Sequence, residues 1–310
     1  MIEVKNLSKN YGSTVAITNI FFTVKKGEIL GLLGPNGAGK TTTMRILAGA
    51  ILPSQGTAKI AGFDIHKQAM NVKKHLGYLP ENPPLYPNLK VKDFLDFVAR
   101  IKGVSKSDRQ SRIDTVIERC QLQEYSQVLI RKLSRGYRQR VGIAQALVHN
   151  PSVIILDEPT VGLDPLQIIE MRELIKSLAG EHTVILSSHI LSEVSMICDR
   201  VTIINQGCVV TTDTLNNLML KLSSTFTYQL ELEGNIAELI TSLEKIPGIA
   251  QIVINPQTNQ NRKIMEINCL PHYEPGAEIA EVILREGIKL YEMRRDRPSL
   301  EEIFLRLTNS

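Results

Sequence analysis

The stretch GPNGAGKT, Gly34 to Thr41, decides how the rest of the 310-residue chain is read. It satisfies G-x-x-x-x-G-K-[ST] in the context that gives the pattern meaning. The unbroken apolar run Ile29 to Leu33 before it predicts a buried strand, and GKTTTMRILAGA after it carries Met44, Leu47 and Ala48 at helical spacing. Glycines here let backbone N–H groups turn toward phosphate oxygens, and the positive end of the following helix adds favourable potential. Gly34, Pro35, Asn36, Gly37, Ala38, Gly39, Lys40, Thr41 and Thr42 are therefore candidate contacts to a nucleoside triphosphate. In this pattern Lys40 reaches the outer phosphates and the Thr41 hydroxyl can ligate Mg2+.

A second strand signal, SVIILDEP, ends on Asp157 and Glu158. Two adjacent carboxylates at the end of a buried strand need a reason, because burying charge without a partner is costly. Downstream of a phosphate loop they read as a magnesium-holding aspartate and a glutamate that orients or deprotonates an attacking water. HTVILSSH ends the next strand on His189, which is either a surface histidine or a sensor of the γ-phosphate; its place beside the strands that carry Gly34 and Asp157 favours the second.

The remaining segments surround this nucleus. IEVKNLSKNYG and VAITNIFFTVKKG read as strands, and PSQG closes the first helical segment with a turn. From about His66 to His149 the pattern is mostly helical, with one break at GYLPENPPLYPN. Strands then return as SVIILDEP, HTVILSSH and RVTIINQG. Between the first two lies a helix that begins at Asp164 and Pro165, a capping residue followed by proline at the first helical position. Strands alternating with helices imply a parallel sheet. Beyond about Thr214 a linking helix, LNNLMLKL, precedes the order β-α-β-β-α-β, the split βαβ layout of a ferredoxin-like domain.

Composition sets the outer bounds. A chain of this length suits one large domain or two unequal ones, and 43% hydrophobic with 22% charged residues is ordinary for a packed protein. The net charge of +4 is mild and spread along the chain, which argues against a dedicated nucleic-acid binder. Cys120, Cys198, Cys208 and Cys269 form no CxxC pair, so they read as reduced thiols of a cytoplasmic protein. No apolar run reaches the length of a membrane-spanning helix, and MIEVKNLSKN lacks the layout of a signal peptide.

Taken in order, these motifs resemble the nucleotide-binding subunit of ABC transporters across residues 1 to about 215. Tyr11 in KNYG stands at the adenine-stacking position, with packing into the core as its other reading, and the phosphate loop follows. Then come a Gln-loop position at YLPEN, the signature LSRGYRQR, the strand with Asp157 and Glu158, the D-loop GLD with Asp164, and His189 as the switch histidine. The signature departs from Leu-Ser-Gly-Gly-Gln in that Arg135 and Tyr137 replace a glycine and the glutamine, while Ser134 and Gly136 survive. At the Gln-loop position Glu81 either ligates the metal more strongly or is partly protonated. Arg135 either adds charge to a γ-phosphate or faces solvent.

With GLDP, LPENPPLY and the ending DRPSLEEIFLRLT, these departures look like the ATPases of type-two ABC exporters, close to the gliding-motility and multidrug-type subunits. The resemblance implies an α/β P-loop NTPase core over 1–215 with a helical subdomain at about 82–150, followed by a small α+β ferredoxin-like domain over 216–310. It implies ATP and Mg2+ as cofactors, separate transmembrane permease subunits, and a bacterial protein held at the cytoplasmic face of the inner membrane. The signature is expected to reach the ATP of a second copy, making an ATP-dependent homodimer. Docking to the permease is expected near ENPPLYPNLKVKDFL, where Leu85, Tyr86, Phe94 and Leu95 form either an apolar groove or ordinary core. Two alternatives are a soluble ABC ATPase acting on ribosomes or DNA, and an importer ATPase with a regulatory C-terminal domain.

Overall fold

A computed structural model describes residues 1–222, 227–255, 262–270 and 273–296. The chain divides into two compact units, Met1–Leu215 and Asn216–Ser310.

The first unit opens with a long antiparallel pair, β1 (Ile2–Tyr11) and β2 (Thr14–Val24), and then β3 (Ile29–Leu33), which is buried at every position. The phosphate loop leads into α1 (Lys40–Leu47). The stretch PSQG, read as a turn, passes at its third residue into β4 (Gln55–Ile60), and β5 (Phe63–Asp64) follows; these are two strands that the sequence pattern does not announce. β4 takes its conformation from tertiary pairing along β1, where Ile2, Val4, Ala58 and Ile60 enter one core with α1.

The segment read as helical from about His66 to His149 holds α2 (Ala69–His75), α3 (Val91–Ile101), α4 (Lys106–Arg119) and α5 (Arg135–Leu147), but also a strand, β6 (Leu76–Leu79). Four residues following directly on a helix give too little alternation to stand out. β6 is a strand because it pairs in parallel with β7 (Val153–Leu156), and because Gly77 lets it lie against the Ala146 carbonyl of α5. Val141 and Ala144 in α5, and Val148 at its C-terminal cap, are fully buried, as their spacing predicts.

α6 (Pro165–Lys176), β8 (Thr183–Ser188), α7 (Leu191–Ile197), β9 (Arg200–Asn205) and β10 (Cys208–Asp213) complete this unit. The six-stranded sheet runs β10-β9-β3-β8-β7-β6, parallel except at β10. β3, β8 and β7 are therefore adjacent, and their C-terminal ends bring Gly34, His189 and Asp157 to one edge, where ligands bind in open parallel sheets.

α8 (Leu215–Leu222) leads into the second unit. There β11 (Thr227–Glu233), α9 (Ile236–Leu243), β12 (Ile249–Asn255), β13 (Lys263–Cys269), α10 (Gly276–Arg285) and β14 (Lys289–Asp296) follow the β-α-β-β-α-β order. They form an antiparallel sheet in the order β12-β13-β11-β14, and Leu230, Leu232, Met265, Ile267, Leu239 and Ile283 make its core. The loop QTNQNRK is described only from Arg262 onward, and of the ending DRPSLEEIFLRLT all but Asp296 lies outside the described residues.

Candidate functional site

The phosphate loop is shaped by close packing. Gly39, the residue before α1, has φ of +103°, and a Cβ there would lie 2.4 Å from the Ile17 side chain and 2.8 Å from the Ala16 carbonyl on β2. Only glycine can occupy that position without displacing β2. The turn folds Lys40 back over the loop. Its ammonium donates to the carbonyl oxygens of Gly34 at 2.8 Å and Pro35 at 3.2 Å, and lies 3.4 Å from Glu158 Oε1. With 5% of its surface exposed, Lys40 is a buried cation matched to an acidic partner.

The carboxylates reach this point from β7. Asp157 Oδ1 accepts from Thr41 Oγ1 at 3.2 Å and from Ser187 Oγ at 2.7 Å, and the Ser187 hydroxyl in turn accepts from the Glu158 backbone N–H at 2.9 Å. Burial raises the Asp157 pKa; the hydrogen bonds from Ser187 and Thr41 pull it back, and the charges of Glu158 and Glu81 push it further up. Glu158 has φ of +49°, a left-handed conformation that costs a non-glycine residue about 1 kcal/mol and persists only when its surroundings enforce it. Glu158 Oε2 lies 2.9 Å from His189 Nδ1.

Lys40, Thr41, Glu158 and His189 face a cleft of about 440 Å3 walled by Asn36 through Thr42 together with Ala16, Glu81 and Val161, and Asp157 stands behind Thr41. Thr41 and Asp157 offer hard oxygen atoms of the kind magnesium prefers, and magnesium ordinarily takes only one or two carboxylates, completing its shell with phosphate and water. The donor set therefore fits a magnesium–nucleotide. The walls leave room for phosphates beside Lys40.

Four other candidates stand outside this cleft. Tyr11, at the end of β1, is 46% exposed, with the Lys9 ammonium 5.2 Å from its ring centre. Ser134 caps α5 by accepting from the Tyr137 N–H, and Asp164 caps α6 by accepting from the Gln167 N–H at 2.9 Å. Gly136 is pressed against Gln167, where a Cβ would sit 2.5 Å from its amide oxygen. The rest of the signature is built into the fold: Tyr137 packs on Tyr125, and buried Arg140 donates to Glu170 at 2.6 Å, to Gln121 at 2.9 Å and to the Cys120 carbonyl at 3.1 Å. Arg135 lies over the backbone of Gly162.

The four residues that read as either groove or core divide between the two. Phe94 and Leu95 are core residues of α3, turned inward by the helical face they share with Val91 and Val98. Tyr86 is exposed and packs edge-on against Phe94 and Phe97, while Leu85 lines a second cleft of about 440 Å3 with Pro83, Ile130, Arg131, Arg135 and Arg138. Sequence reasoning also missed Ser187, Thr160 and Glu193. Their only signal is a hydroxyl or carboxylate within a few residues of Asp157, Glu158 and His189.

A glycine loop opening a helix, a lysine folded over it and carboxylates ending the next-but-one parallel strand define a P-loop nucleoside triphosphatase. The comparisons with known proteins refine that class. Residues 17–161 match the ABC transporter family. The chain is 35% identical to the bacitracin transport ATP-binding protein BcrA of Bacillus licheniformis, over 99% of this chain and 97% of that protein. It is 31% identical to the linearmycin resistance ATP-binding protein LnrL of Bacillus subtilis, over 99% and 98% respectively. Among solved structures, a dimeric post-hydrolysis state of the ATP-binding cassette MJ0796 with ADP and Pi aligns with 69% of this chain and 99% of its own, at a TM-score of 0.63 and 26% identity. This chain belongs to the ATP-binding subunits of ABC transporters. It is an ATPase.

Proposed function

We propose that this ATPase drives an exporter whose membrane-spanning subunits are separate chains, and that two copies close head to tail around two ATP molecules. Among the described residues no helix is long and apolar enough to cross a membrane. Export is supported by the likeness to a bacitracin transport and a linearmycin resistance subunit, and closure in pairs by the likeness to a cassette dimer. The subunit then works at the cytoplasmic face of a bacterial membrane. The C-terminal unit is an accessory domain that leaves the chemistry to residues 1–215.

In this reading Lys40 gives up its contacts with the Gly34 and Pro35 carbonyls to bind the outer phosphates of ATP, and Thr41 and Asp157 hold magnesium. Magnesium, when bound, neutralises charge on the phosphates and fixes their orientation. Glu158 takes the proton of the attacking water or orients it, and His189 holds the Glu158 carboxylate from the far side. Asp157 is poised for a cation because its charge is unfavourable without one. Ser134 and Gly136, outside their own cleft, approach the nucleotide of the second copy in an isologous arrangement with C2 symmetry. Glu81 lines both clefts and so connects the nucleotide to the surface with Leu85 and the three arginines, which we assign to the permease.

The observation that carries this reading is Glu158 held between Lys40 at 3.4 Å and His189 at 2.9 Å in the wall of the cleft. The test is Glu158→Gln, assayed for ATP binding, hydrolysis and dimerisation. Binding is expected to persist, hydrolysis to slow by roughly 10²- to 10⁴-fold, and an ATP-loaded dimer to accumulate. Nucleotide-independent dimerisation, or none, would remove the closure model.

A further inference from the structure

We propose that Glu193 is a positioning residue for hydrolysis, tying the loop after Glu158 to the strand end that carries His189. The proposal rests on the roles given above to Glu158 and His189. Glu193 sits in the first turn of α7 with 3% of its surface exposed. Its Oε2 accepts from Thr160 Oγ1 at 2.6 Å and from Ser188 Oγ at 3.3 Å. Thr160 is two residues beyond Glu158, and Ser188 immediately precedes His189. With the 2.9 Å approach of His189 to Glu158, these contacts close a ring that runs from Glu158 through Thr160, Glu193, Ser188 and His189 back to Glu158.

The ring explains two features otherwise without a cause. A carboxylate this deep needs a reason. Glu193 has two hydroxyl donors and the Arg172 guanidinium at 3.8 Å, so its charge is met on both oxygens. The left-handed backbone of Glu158 also needs restraint. Ser187 holds it from the Asp157 side, and Thr160, anchored by Glu193, holds it from the other.

A carboxylate suits the place better than an amide. The amide of a Glu193→Gln variant would still accept from both hydroxyls, but its NH2 group would face the Arg172 guanidinium. Alanine would leave the Thr160 hydroxyl without its acceptor and the Ser188 hydroxyl with only the Ile190 carbonyl at 3.5 Å. The substitutions therefore form a graded series: Glu193→Gln weakens the brace and Glu193→Ala removes it. The phosphate loop is untouched by either.

The test measures kcat, KM and nucleotide binding for the full chain carrying Glu193→Ala, Glu193→Gln or Thr160→Val, alone and combined with Glu158→Gln. Glu193→Ala should lower kcat by roughly 10- to 100-fold, the cost of misplacing a reacting group by about 1 Å, with KM for ATP within about twofold. Glu193→Gln should recover most of the loss, and Thr160→Val, which keeps the charge buried and paired with Arg172, should lower kcat less than Glu193→Ala. In the Glu158→Gln background Glu193→Ala should add little, because it acts through the group already removed. An undiminished, fully additive loss there, or unchanged kcat in both Glu193→Ala and Thr160→Val, overturns the proposal; should Glu193→Ala not fold, Thr160→Val decides it. Full activity of Glu158→Gln alone would instead sink the underlying assignment of Glu158.

Discussion

The two units of the chain fill their interiors differently. In residues 1–215 the core holds Lys40, Arg140, Asp157, Glu158 and Glu193 beside its aliphatic residues, and one of these, Glu158, has a strained backbone. In the second unit, among the described residues, the core is apolar throughout, and charged side chains pair on its surface, as Arg262 does with Glu231 and Lys289 with Glu233. Buried charge costs free energy and is kept where it does something else. Apolar packing with surface pairs is what stability alone requires. The contrast supports the proposal that the chemistry lies in the first unit.

The contrast can be broken at several points. The largest effect is expected from Asp157→Asn. Its amide oxygen can still accept from Thr41 and Ser187, yet the charge proposed to hold magnesium is gone, so hydrolysis should fall by roughly 10²-fold or more. The nucleotide-free protein should nevertheless be more heat-stable. Burial raises the Asp157 pKa, so its charge costs stability as pH rises through the folded pKa, and below the unfolded pKa the cost vanishes. The gain in Tm should thus be present at pH 8 and shrink toward pH 4; an equal gain at both would point to packing instead of charge.

Leu230→Ala comes next. It cuts a fully buried side chain from the second core and should destabilise that unit by about 2–5 kcal/mol, measured by denaturant unfolding of the full chain, while ATP binding by the first unit stays unchanged. Loss of ATP binding would show that the division of labour is incomplete. The smallest effect belongs to Arg262→Ala. Although its guanidinium stacks on Tyr291 at 3.8 Å and pairs with Glu231, it is a solvent-exposed contact, and Tm should not move measurably.

How much of this was legible depends on range. The phosphate loop and the strand ending in Asp157 and Glu158 are local patterns, and they were legible because glycine placement and an unbroken apolar run mark them within a few residues of chain. The β-α-β-β-α-β order was readable for the same reason, since each element of the second unit has its own period and turn. β6 and β4 were not, because their conformation comes from pairing with strands far off in sequence. Phe94 and Leu95 could not be told apart from a groove by spacing, which gives a face and not what covers it. Ser187, Thr160 and Glu193 escaped notice because three segments must fold together before their contacts exist.

The central claim is that Glu158, held between Lys40 and His189, performs the hydrolytic step. The most direct test is single-turnover hydrolysis of ATP by Glu158→Gln beside the unaltered protein, with binding measured on the same samples. The account predicts retained binding and a rate lower by roughly 10²- to 10⁴-fold. Hydrolysis at the original rate would contradict it.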